Sequence, residues 1–140
     1  MFKLTPIFLL LALLQISCFN KQKEDSKRPD TALETGTLFI QNSLQGNFNQ
    51  CAPLILKEND NLHLFGEFKN YYNKKPENWK KEIRSSGYII NKYLDLNDST
   101  TIINYSNPKL SRPMEIKVVL KDHQWWIDYK YTYSGNLPID

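Results

Sequence analysis

The chain has 140 residues and a mass of 16.5 kDa, room for one ordinary domain and not two. At 41% hydrophobic, 13% aromatic and 24% charged, with only five Gly and seven Pro, it is neither collagen-like nor a Gly/Pro-rich disordered chain. Two cysteines exclude a disulfide-dense scaffold and a four-cysteine zinc site, and a net charge of +3 is too mild to point to a polyanion partner.

Residues 1–17 read as a processing segment. Lys3 precedes an unbroken apolar run from Ile7 to Leu14, then come Gln15-Ile16-Ser17 and Cys18. Eight helical residues span roughly 12 Å, far short of the ~30 Å hydrocarbon layer, whereas a signal-peptide core needs only about 7 to 15 apolar residues. The apolar run, small Ser17 and Cys18 resemble the lipobox of bacterial lipoproteins, with Gln15 standing where Leu is usual. The resemblance implies cleavage before Cys18, a diacylglycerol thioether on its sulfur and acylation of the new amine, so that the product stays on a membrane of the bacterial cell envelope, either periplasmic or surface-facing. The other reading is an ordinary secretory signal. With Cys18 lipidated, Cys51 has no partner in the chain and reads as a small core residue.

Residues 18–30 form the anchor and its spacer. Between Asn20 and Asp30 lie four cations, three anions and no aliphatic residue, which predicts a flexible, fully solvated tether. Residues 31–140 form the single domain, and their 13 cations and 12 anions argue against nucleic acid.

In chain order, Asp30 or Thr31 caps a first helix whose stripe is Leu33, Thr37, Ile40 and Leu44, ended by Gly46. Asn47 caps a short second helix placing Phe48, Cys51 and Ala52 on one face, and Pro53 stops it. A third begins at Asn59 or Asp60 with Leu62, Phe65, Phe68 and Tyr72 inward. Pro76 opens a fourth with Trp79 and Ile83 a turn apart. Near Gly87 the period falls from 3.6 to 2. Tyr88, Ile90, Leu94 and Leu96 alternate on one face of a first strand, with Ile89 and Tyr93 on the other. Thr101, Ile103 and Tyr105 make a second strand, and Met114, Ile116, Val118 and Leu120 a third. Trp125, Ile127, Tyr129, Tyr131 and Tyr133 make a fourth beyond the Lys121–Gln124 turn. Helices ahead of an antiparallel meander of about four strands give an α+β domain.

A helix ending in Gly46-Asn47-Phe48, a helical pair, and a meander whose last strand opens with a turn and a Trp (Asp122-His123-Gln124-Trp125-Trp126-Ile127-Asp128) is similar to the nuclear-transport-factor-2-like superfamily, and within it to small bacterial lipoproteins. The resemblance spans about Thr31 to Tyr133. It implies a cone of helices laid across a bent sheet, with a pocket at the open end. Members include enzymes, ligand binders and dimerising modules, so the fold does not choose a function.

No catalytic constellation is legible. His63 and His123 are sixty residues apart, without zinc spacing, and neither a phosphate loop nor a Gly-x-Ser-x-Gly elbow occurs. No cofactor or metal is expected. Asp95 and Asp128 fall on strand faces opposite the aliphatic residues and are expected to point outward. Tyrosines alternating along a strand, each needing a hydroxyl partner, suggest a wet wall or rim. Tyr129 and Tyr131, with Tyr93 and Trp126 on the opposite face, are the candidate ligand or partner contacts. A sheet apolar on both faces needs two covers, the second being another copy or a protein partner. The leading reading is a non-enzymatic, membrane-anchored binding or scaffolding module. The alternatives are a carrier or enzyme using the cone, with His63 or a wall tyrosine as its polar group, and a structural envelope lipoprotein.

Overall fold

The computed structural model describes residues 27–136. Residues 1–17, Cys18 and most of the tether lie outside the described residues. Five α-helices and four strands run in the order α1 (Ala32–Gln45), α2 (Phe48–Cys51), α3 (Asn59–Lys74), α4 (Glu77–Ser85), β1 (Ile89–Asn97), β2 (Thr100–Ser106), β3 (Met114–Lys121), β4 (Gln124–Ile127) and α5 (Tyr129–Asn136), with a 3-10 turn at Ala52–Leu54 after α2. The sheet is an open antiparallel meander in sequence order, as the change of period predicts.

Thr31 starts α1 with a capping box. Its hydroxyl accepts from the Glu34 N–H at 3.1 Å, and the Glu34 carboxylate accepts from the Thr31 N–H at 3.2 Å. The buried face is Ala32, Thr35, Gly36, Phe39, Ile40, Ser43 and Leu44. The expected stripe holds at Ile40 and Leu44 but not at Leu33, which is exposed, or Thr37, which is half-buried. Small residues take the inward face because α1 lies close on the sheet. A Cβ on Gly36 would stand 2.3 Å from Ile103 Cδ1. Thr35 and Ser43 tolerate burial because their hydroxyls donate to the carbonyls of Thr31 and Ile40, both at 2.9 Å. Gly46 ends the helix at φ +75°, a conformation suited to glycine.

Asn47 makes no side-chain cap for α2, and Ala52 is exposed, while Phe48 and Cys51 are buried as expected. On α3 the core face is Asn61, Phe65 and Tyr72, and Leu62 is exposed, another correction of a periodic stripe. Between helices and sheet the rings interlock edge to face: Phe48 against Phe65, Phe68 and Tyr72, and Phe65 against Tyr129, with centroids 5.2–6.1 Å apart. This cluster fills the centre of the domain.

The largest correction concerns the fourth strand. It stops at Ile127, and Tyr129, Tyr131 and Tyr133 belong to α5 instead. Asn61, wholly buried on α3, accepts from the Lys130 N–H at 2.6 Å and so satisfies one free donor in the first turn of α5. β4 pairs only with Val118–Lys121 of β3, and α5 packs on β3 in its place. On its other edge β4 meets Ile55, and the Leu56 N–H donates to the Ile127 carbonyl at 3.0 Å. Among the described residues the edge left without a neighbour is that of β1.

Candidate functional site

β1 does not alternate as its sequence suggests. Register shifts at Asn91 and Leu96 reset which side chains face the helices. Tyr105 is buried beneath the helices, so its partner Ile90 also faces them. Beyond the first bulge, Tyr93 opposes Ile103 and Asp95 opposes Thr101, both buried helix-side residues, whereas Leu94 opposes Ile102 on the outer face. Tyr93 and Ile90 therefore share the helix side, Leu94 and Ile89 the outer side. Asp95 faces inward, toward the open end of the sheet.

There it joins a cleft of about 420 Å³, whose lining includes Asp30 and Thr31, Tyr93, Asp95, Asn97 and Asp98 from β1 and its turn, and Trp125 from β4. The buried Thr101 hydroxyl donates to Asp95 Oδ1 at 2.6 Å and fixes that carboxylate. Asn97 shapes the turn by accepting from the Ser99 N–H at 2.9 Å. Asp30 is held by Lys27 at 2.6 Å. Carboxylates beside two aromatic rings in a cleft open to solvent suit the attraction and packing of a cationic side chain. β1 also exposes apolar side chains outside the cleft: Ile89 is 66% exposed, Leu96 56% and Leu94 39%.

The four predicted contact residues do not come together. Tyr93 lines the cleft. Tyr129 is buried against Phe39, Phe65 and Phe68 and is core rather than rim. Tyr131 stands on α5, where its hydroxyl donates to Glu115 Oε1 at 2.5 Å. That bond to a carboxylate pushes the phenol up to about 12. Trp126 is on the outer face as expected, but covered: the Arg28 guanidinium stacks on its ring and the indole N–H donates to the Lys121 carbonyl. Asp128 does lie on the outer side, mostly shielded and paired with Lys117 at 3.3 Å. Cys18 lies outside the described residues.

His63 is exposed on α3, 3.6 Å from Glu67, and His123 occupies the β3–β4 turn at φ +59°. Among the described residues no three His, Cys, Asp or Glu side chains are grouped to hold a metal ion, and no helix is long and apolar enough to cross a membrane. Sequence reasoning missed Asp95 as a cleft residue, because a bulge leaves no mark on an alternating pattern, and missed Arg28, because one cation in a charged spacer looks solvated.

The elements and the cleft define a class: one α+β domain with four antiparallel strands beneath helices, a filled interior and an open acidic-aromatic cleft at the sheet edge. No family model matches the sequence, and no match is found among characterised proteins or solved structures.

Proposed function

We propose that the protein is a lipid-anchored bacterial envelope module, held through Cys18, whose domain binds an extended, cation-bearing segment of a protein partner along β1. The cone of the nuclear-transport-factor-2-like superfamily is the finer architecture proposed for it. The observation that carries the binding reading is the state of β1: a nine-residue strand with no neighbour on its outer edge among the described residues, exposed apolar side chains, and a cleft with carboxylates at one end. The opposite side of the sheet is closed by Ile55 and α5. A strand added to β1 would satisfy its free backbone groups and set a Lys or Arg into the cleft. The central core, filled by rings, favours this surface over chemistry inside a cone.

The test is calorimetric titration of the full chain with a synthetic peptide of alternating Lys and Val. Saturable binding is expected, weakening as salt rises. The double substitution Asp95→Asn with Asp98→Asn is expected to weaken it at least about tenfold, about 1.4 kcal/mol. Absence of binding, or equal binding by the variant, overturns the reading.

A further inference from the structure

Arg28 lies in the stretch whose composition reads as free spacer, yet it is tied to the domain at three points. Its guanidinium carbon sits 3.8 Å from the centroid of the Trp126 ring. Nη1 donates to the Pro53 carbonyl at 2.8 Å and Nη2 to the Trp125 carbonyl at 3.0 Å. A planar fork that stacks on a ring while both arms meet carbonyls is geometry that lysine cannot reproduce. Burial lowers the Arg28 pKa from its usual value. Two residues on, the Asp30 and Thr31 N–H groups both donate to Glu34 Oε2, at 3.1 and 3.2 Å, so residues 28–31 have little slack. The same segment frames the cleft, since Asp30 lies on one wall and the Trp125 ring on another.

We propose that Arg28 is a strap, pinning the incoming chain to the corner made by Pro53, Trp125 and Trp126, so that the tether leaves the domain there and the adjoining cleft wall is held in place. Its consequence at a membrane rests on the lipid reading of Cys18. With the strap closed, the nine residues between Cys18 and Arg28 can span at most roughly 30 Å. With it open, the reach is counted to Thr31, and the twelve residues between span at most roughly 40 Å. The strap therefore sets how far the cleft stands from the anchoring surface.

The experiment compares the full chain with its Arg28→Ala and Arg28→Lys variants. In solution, Arg28→Ala is expected to speed hydrogen exchange at the Asp30 and Thr31 amides at least about tenfold and to open Trp126 to acrylamide quenching, with lysine restoring protection only in part. Arg28→Lys, keeping charge and stem, gives the answer should alanine unfold the domain. Unchanged exchange and quenching in both variants overturn the strap. In a second arm the lipidated chain is placed on phosphatidylglycerol/phosphatidylcholine vesicles carrying a headgroup-linked dansyl acceptor. Energy transfer from tryptophan is expected to fall when Arg28 is replaced, and equal transfer overturns the spacing role. Failure of either chain to attach would count against lipidation itself, and the exchange arm would still decide the strap.

Discussion

Cys51 shows how one residue's chemistry follows from its surroundings. Its side chain has no exposed surface, its sulfur lies 3.8 Å from the Phe39 carbonyl, and burial pushes the thiol from 9.0 up to about 12. The thiolate is the reactive form, so this cysteine is inert in the folded state. In the full chain, Cys51 is expected to resist iodoacetamide at pH 8 and to react after denaturation. Rapid native labelling at Cys51 would contradict its burial. The sign for stability follows as well. The folded-state value is raised, so the neutral thiol favours the fold fully below the unfolded value near 9, and that contribution is lost as pH climbs from there toward 12. Gly36 makes a different point, since its missing Cβ is what lets α1 rest on Ile103.

At the level of elements, the exchange of a strand for a helix after Ile127 is the informative event. Trp125, Ile127, Tyr129 and Tyr131 alternate, but Tyr129 and Thr132 are both buried at a spacing of three, which a helix also satisfies. Pattern alone does not separate the two. The decision comes from α3, where buried Asn61 offers an acceptor to the first turn of α5. Replacing Asn61→Leu is expected to cost about 0.5–1.5 kcal/mol by removing the hydrogen bond to the part-buried Lys130 N–H, lowering the thermal midpoint by about 4–8 °C per kcal/mol in a domain of this size. Asn61→Asp, which keeps the acceptor, separates the cap from side-chain volume. A midpoint unchanged in Asn61→Leu would show that α5 needs no such cap.

At the scale of the whole domain, the aromatic core of the described residues leaves little room for a guest beside it. The enclosed space among Leu44, Tyr72, Ile83, Tyr105 and Met114 is about 40 Å³, an order of magnitude below ordinary ligand pockets of ~300–1,000 Å³. The cleft beside β1 is open at about 420 Å³. Saturating benzene is therefore expected to leave the thermal midpoint of the native chain unchanged, whereas Met114→Ala, costing about 2–5 kcal/mol, opens a void and acquires a benzene-dependent rise. A benzene-induced rise in the unsubstituted protein would show that the core opens more readily than its packing implies.

The sequence by itself determined the α+β class, the starts of the first and third helices to within one residue (Asp30 or Thr31 as cap, Asn59 or Asp60 as first residue), the tight turns at Asp98-Ser99 and Asp122-His123, and the inward faces of β2 and of β3 as far as Val118, Leu120 being exposed. These depend on local rules: caps, turn chemistry and a period carried by neighbours along the chain. The face of α1, the reversal of Tyr93 and Asp95 across the Asn91 bulge, the helix at Tyr129 and the seat of Arg28 were decided only by tertiary structure. Each depends on a group distant in sequence: Ile103 beneath Gly36, the β2 register opposite β1, Asn61 beside Lys130, and Pro53 and Trp125 around a guanidinium. Hydrophobic periodicity reports how much apolar surface a segment must hide, but which partner hides it depends on contacts between segments far apart in the chain.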